Sequence, residues 1–368
     1  MAKNIFTEFF PKIIRIWSQH QSVVGVDIGS SSIKIVQLRK EKERAFLETY
    51  GELAAGPYVK QPIGQIVQLS EGVATEMLKD LFRESGANAK EAAVAIPVKS
   101  SFITTIKVPM VEDKKTMDEV IKFEARKYIP VPFNEVEVDW WILNTSEPES
   151  SGIAKRQIVE VLLAVIYKDA IRKYQNILSG SNLKIKLFEV EIFSGWRSLI
   201  FRPTTPVAVI DLGASSTKMS IVEAGVLRSS FTIDAGACAI TNAISRSLGI
   251  SFERAEEMKQ QIGLSSKPEH KDIVKVSESV LNLIFSEAKQ FIHAYNRKYN
   301  SSVGQVVLSG GGALLNGVVD MAVKNLGVEV VLADPFAKTD YPPFLQGVLK
   351  EIGPTFSTAA GLALKGLS

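Results

Sequence analysis

The sequence predicts an α/β fold: two half-related lobes around a nucleotide cleft, with a smaller inserted α+β subdomain. Three observations carry that expectation. A strand–turn–strand unit is written twice, a glycine-rich turn follows another apolar strand near the C-terminal end, and a separate run of strands and helices lies between the two units.

The first copy of the unit runs Val23-Val-Gly-Val-Asp-Ile-Gly-Ser-Ser-Ser-Ile-Lys-Ile-Val-Gln-Leu38, and the second runs Val207-Ala-Val-Ile-Asp-Leu-Gly-Ala-Ser-Ser-Thr-Lys-Met-Ser-Ile-Val222. Val23, Asp27, Gly29, Ser31, Ser32 and Lys34 recur as Val207, Asp211, Gly213, Ser215, Ser216 and Lys218. Each copy places Asp at the end of its first strand. Gly29 and Gly213 let the backbone turn sharply and approach a ligand. Successive N–H groups and small hydroxyls in such a turn make an anion-binding concavity, and Lys34 adds a point charge for phosphate. Asp27 and Asp211, one per hairpin, are expected to face each other across a cleft and hold a hydrated Mg²⁺, which favours carboxylate and water ligands. Asp, Gly and Ser are also ordinary turn formers, so one such hairpin would carry little. Two with Asp, Gly and Lys at the same offsets point to phosphate.

The third element is Val306-Val-Leu-Ser-Gly-Gly-Gly-Ala-Leu-Leu-Asn-Gly317. An apolar strand runs into Gly310, Gly311 and Gly312 and then into a helix, and bare backbone there suits an adenine or an α-phosphate.

Composition removes other classes. The 368 residues exceed one small core, and a formal net charge of +3 with no Lys/Arg stripe argues against nucleic acid. Cys238 is the sole cysteine, so no disulfide framework exists and a reducing compartment is expected. His20, His270 and His293 stand far apart, outside any zinc or nucleophile pattern. No run of about 18 apolar residues reads as a membrane span. At the N-terminus Ile5, Phe6, Phe9, Phe10, Ile13, Ile14 and Trp17 recur at helical spacing among Lys3, Lys12 and Arg15, broken by Pro11. Such a basic amphipathic segment suits peripheral membrane association, or docking on the protein itself or on a partner.

Together the three elements resemble the phosphate-1, phosphate-2 and adenosine motifs of the actin/Hsp70/sugar-kinase superfamily, across residues 22–366. The resemblance implies an actin-like ATPase fold that takes ATP and Mg²⁺. Under it, Ser30, Ser31, Ser32 and Lys34 cradle the β-phosphate, while Gly213, Ala214, Ser215, Ser216 and Thr217 clasp the γ-phosphate. Gly310, Gly311, Gly312 and Ala313 meet the adenosine. Phe188–Leu199 and Phe356–Leu364 match the family's two connecting elements. Glu191 is then the residue that orients attacking water, with Asp211 as its catalytic companion; any ATPase activity is expected to be slow. Glu253-Arg-Ala-Glu-Glu-Met-Lys259 is similar to a segment that bacterial actins place over the nucleoside, which assigns Glu256 and Lys259 to it.

Between the first hairpin and the first connection, the pattern reads strand (Ala92–Pro97), strand (Phe102–Val108), helix (Lys114–Tyr128), strand (Val136–Leu143), strand (Ile158–Ile166) and helix (Asp169–Leu178). This α+β insert resembles the extra subdomain of FtsA-like proteins. With the Asp27–Lys34 opening and the short chain, it resembles the PilM family of type IV pilus assembly. That resemblance implies a protein at the inner face of the inner membrane that docks the N-terminal tail of a PilN-like protein on its insert and joins other platform proteins. The expected division is 1–21 amphipathic segment, 22–90 with 179–205 as the first-lobe core, and 91–178 as the insert. Residues 206–238 with 305–352 form the second-lobe core, 239–304 its outer subdomain, and 353–368 the second connecting helix. An FtsA-like division protein is the alternative, weakened because the chain stops at Leu367-Ser368 without the amphipathic helix such proteins add. A small-molecule kinase of the same fold is the other alternative, but no sugar-kinase signature appears. A chaperone of the Hsp70 type would need a further substrate domain.

Overall fold

The computed structural model describes residues 21–145, 157–201 and 205–368. The expected amphipathic segment therefore lies outside the described residues apart from its last position.

Three successive strands open the first lobe: β1 (Ser22–Ile28), β2 (Ser32–Glu41) and β3 (Arg44–Ala54). Val23, Val24 and Val26 of β1 are fully buried, which is the fate of an unbroken Val-rich run with cover on both faces. Helix α1 (Glu71–Ser85) starts on a Ser70 cap and stops at Gly86, which turns left-handed at φ 69°. The chain then returns as β4 (Glu91–Ile96), parallel to β1. After the insert come α3 (Lys168–Gly180), β8 (Lys184–Val190) and α4 (Glu191–Leu199). The sheet order is β3-β2-β1-β4-β8.

The second lobe repeats this plan. Strands β9 (Val207–Leu212), β10 (Thr217–Glu223) and β11 (Val226–Ile233) are followed by helices α5 (Ala237–Leu248), α6 (Phe252–Ile262) and α7 (Lys271–Tyr299). Strand β12 (Gln305–Ser309), helix α8 (Val318–Leu326) and β13 (Glu329–Leu332) complete it, in the order β11-β10-β9-β12-β13. Two antiparallel pairings and two parallel ones occur in the same places in both sheets. The repeat in sequence is thus a repeat in topology. Asp27 stands opposite Lys34 in one hairpin and Asp211 opposite Lys218 in the other.

Helices α9 (Gln346–Ile352) and α10 (Ser357–Gly366) end the chain. α10 is built of small residues because it lies between β1 and α4 at backbone distance. A Cβ added to Gly25 would overlap the Ala359 carbonyl, and one added to Gly361 would overlap the Ser194 carbonyl. Its Ala359, Ala360, Leu362 and Ala363, with the flanking Phe356 and Leu367, share a core with Val23, Val36, Leu38, Ala93 and Ala95 of the first sheet.

The insert is a three-stranded antiparallel sheet, β5 (Ser101–Pro109), β7 (Ile158–Tyr167) and β6 (Val136–Thr145) in that order, with α2 (Lys114–Ala125) packed on it through Met117 and Ile121. The expected 91–178 span overruns this unit at both ends. β4 belongs to the first sheet, and α3 buries Tyr174, Ile177 and Leu178 in the first-lobe core. Their apolar patterns could not show which core they serve. The glycine-rich turn is followed by a short 3-10 turn, Gly311–Leu314, before α8 begins.

Candidate functional site

The carboxyl ends of β1, β4 and β8 in one lobe, and of β9 and β12 in the other, meet on a cavity of about 690 Å³. Both hairpin turns open onto it. The Gly29 N–H donates to Ser32 O at 3.0 Å and the Gly213 N–H donates to Ser216 O at 3.1 Å, so the two turns close in the same way. Added Cβ atoms there would press on those carbonyls at 3.0 and 2.9 Å. Gly310 must be glycine for a second reason: its φ is 84°, and a side chain would run into Asp211 and Leu212.

Of the residues singled out from sequence, Asp27, Gly29, Ser30, Ser31, Ser32, Lys34, Glu191, Asp211, Gly213, Ala214, Ser215, Ser216, Glu256, Lys259, Gly310, Gly311 and Gly312 line this one cavity. Thr217 and Ala313 do not. Thr217 is fully buried and donates its hydroxyl to Ala235 O at 2.7 Å, and Ala313 sits in the second-lobe core.

The charges are arranged unequally. Asp27 has no ion pair and no side-chain hydrogen bond among the described residues, and burial pushes its carboxyl up to about 6 against the pull of Lys34. Lys34 Nζ lies 2.6 Å from Ser32 Oγ and 3.1 Å from Glu52 Oε1 on β3. Lys218 crosses the cleft instead, 2.8 Å from Glu191 Oε2 and 3.3 Å from Asp211 Oδ2. Burial works against the Lys218 charge, but Glu191 and then Asp211 outweigh it and hold the ammonium above its usual range. Glu191 opens α4, and its other oxygen, Oε1, accepts the Val98 N–H at 2.9 Å. Tyr174 also lines the cavity; burial first, then Glu191 and Asp27, raise its phenol.

Glu256 and Lys259 stand one turn apart on α6 and are both buried. Lys259 Nζ reaches Glu256 Oε2 at 2.7 Å and Thr241 Oγ1 at 2.9 Å, while Gln260 donates to Glu256 Oε1 at 2.8 Å. Burial opposes the Glu256 charge, yet Lys259 and these donors keep its carboxyl below the usual range. A first-lobe loop closes over this cluster: a Cβ on Gly64 would lie 3.0 Å from Glu256 Cδ. Lys99, at the root of the insert, meets Asp234 of the second lobe at 2.8 Å.

Sequence reasoning missed Lys218, Glu52, Tyr174 and the Gly64 loop. The Lys218 signal was present, since it repeats Lys34. The Glu52 signal was its place across the sheet from Lys34, which needs the β2–β3 register. No cluster of three or more His, Cys, Asp or Glu suited to a metal occurs among the described residues, and no helix among them is long and apolar enough to cross a membrane.

A family model described as type IV pilus assembly protein PilM matches residues 25–367. A solved PilM–PilN type IV pilus biogenesis complex contains a chain that superposes with a TM-score of 0.79 at 24% identity, covering 94% of this chain and 98% of that one. The ADP-bound MreB5 of Spiroplasma citri superposes with a TM-score of 0.53 at 12% identity, over 94% of this chain and 95% of that one. The architecture is the actin-like ATPase fold. Cell division protein FtsA of Bacillus subtilis (strain 168) is 28% identical over 162 residues, which cover 39% of this chain and 37% of that protein. The match therefore spans about a third of that relative's length.

Proposed function

The chain belongs to the PilM family of type IV pilus assembly proteins, and from that premise we propose that it holds MgATP between its lobes and docks the N-terminal tail of a PilN-like inner-membrane protein on its insert. Its place is then the cytoplasmic face of the inner membrane, among other platform proteins. What supports the nucleotide half most is convergence. Both hairpin turns, Glu191 and the glycine turn border one cavity whose size is that of a small-ligand site.

In this reading the Ser30–Ser32 turn receives the β-phosphate and the Gly213–Ser216 turn the γ-phosphate. Asp27, unpaired and open to the cavity, fits a Mg²⁺ held through water, with Asp211 as the second carboxylate. Bound there, Mg²⁺ supplies positive charge against the phosphate oxygens. Glu191 orients the water; without nucleotide its two oxygens are engaged, one by Val98 and one by Lys218. Asp211→Ala should weaken MgATP binding about tenfold or more in a calorimetric titration, the scale of one lost charge-assisted contact. Unchanged affinity would remove Asp211 from the metal role.

The partner half is supported by large apolar side chains left exposed on the insert, Phe123 at 63% and Tyr128 at 46%. Aromatic residues of this kind anchor protein interfaces. A PilN-like tail peptide should bind saturably to the purified chain. Joint replacement of Phe123 and Tyr128 by serine should lower that affinity about tenfold, as expected for loss of interface anchors. Absence of any tail binding would sink the partner reading, and full binding to the double variant would move the site off this face.

A further inference from the structure

The two hairpin lysines are sequence equivalents that do different things. Lys34 faces Glu52 across the β2–β3 ladder and is tied to it and to Ser32, all within its own lobe. The residue facing Lys218 across β10–β11 is Thr232, which has no charge to offer. The Lys218 ammonium therefore reaches over the cleft to Glu191, keeping Asp211 as its second contact. It also lies beside the second turn: a Cβ on Gly213 would be 3.6 Å from Lys218 Nζ. Of the two charges in the cross-lobe pair, the carboxylate is the fixed one, since Glu191 begins a helix and accepts the Val98 N–H. The ammonium sits on a flexible four-carbon stem and carries three donors.

Resting on the nucleotide reading above, we infer that Lys218 is the residue that tells a nucleoside triphosphate from a diphosphate, by exchanging its ion pair with Glu191 for the terminal phosphate. One donor remains on Asp211 during the exchange, and another turns from Glu191 Oε2 to a γ-phosphate oxygen at the Gly213 turn. Glu191 Oε2 is thereby uncovered for a water only when a terminal phosphate is present. Lys34 takes no part in the discrimination, because its partners do not change with the number of phosphates.

The test is calorimetric binding of ATP and of ADP, each in EDTA so that no metal contributes, to the full chain and to Lys218→Met, Lys218→Arg and Glu191→Gln. Lys218→Met should lose about tenfold or more in ATP affinity, the worth of a charge-assisted phosphate contact, while ADP affinity moves by less than about threefold. Glu191→Gln should bind ATP more tightly than the unmodified chain, because a neutral amide competes less for the ammonium. Lys218→Arg should keep a preference for ATP. Equal losses of ATP and ADP in Lys218→Met, with the melting temperature held, overturn the inference, as does weaker ATP binding by Glu191→Gln. If Lys218→Met does not fold, Glu191→Gln decides alone. An unmodified chain that binds neither nucleotide, in EDTA or with Mg²⁺ added, overturns the nucleotide reading and this inference with it; binding of both without regard to Lys218, or of ATP only with Mg²⁺, overturns the inference only.

Discussion

Gly361→Ala should be among the most damaging single-methyl additions to this chain, lowering its stability by about 3 kcal/mol or more, at or above the upper end of the usual overpacking range. The added Cβ would overlap the backbone carbonyl of Ser194, and backbone cannot swing aside as a long side chain does. Two helices, α10 and α4, would have to part, and α10 is also pressed on β1 through Gly25 and Ala359. Gly347→Ala is the matched control. It lies in α9 with nothing within 4 Å of the added atom, so it should be neutral or slightly stabilising. Urea unfolding of both variants checks this; a Gly361→Ala midpoint equal to that of the parent would show that the two helices are not held at backbone contact.

Asp27→Asn should stabilise the protein at neutral pH and weaken MgATP binding. The native carboxyl titrates at about 6 against 3.8 for an unperturbed aspartate, and burial is the main cause. Because the native value is raised, the native state binds more protons than the unfolded chain between these two values. The stability associated with this group is full below the unfolded pKa and is lost as pH rises through the native one. By pH 7.5 the charge costs about 1–3 kcal/mol, the upper figure being two pKa units and the lower allowing for water in the cleft. The amide removes that cost without changing shape. Thermal unfolding of parent and variant at pH 4 and pH 7.5 should therefore show a gain at pH 7.5 that shrinks markedly at pH 4. A gain of equal size at both pH values would assign it to something other than the buried charge.

The sequence made the two hairpins legible because Asp, Gly, Ser and Lys recur at identical offsets, and the two sheets indeed share one strand order. The third strand of each sheet went unread. β3 and β11 lie at sheet edges, with half-exposed and charged residues that blur the alternation. The insert was visible as a run of strands and helices, but its ends were not. β4 and α3 have the same apolar patterns whether they cover one core or the next. Most cleft residues were found from the turns. The cross-lobe contacts were not, because nothing local in Gly64, Lys99 or Lys218 signals a partner from the other lobe. Thr217 was misread for the opposite reason: its neighbours face the cleft, while strand alternation turns its own side chain into the protein.

The position of α10 has a consequence for how the protein is made. The second lobe keeps a core drawn wholly from residues 208–330, so it can assemble as soon as that stretch has left the ribosome. The first lobe cannot do so. Its strands emerge early, yet one face of its sheet shares its core with Phe336, Leu349, Phe356, Ala359, Leu362 and Leu367, which are translated only after the second-lobe core. Until then an apolar, Val-rich surface waits for its lid, and its closure joins residues far apart in sequence, a slow step in vectorial folding. The half that is translated first is therefore the half that is finished last, and it is the one that would engage chaperones on the way.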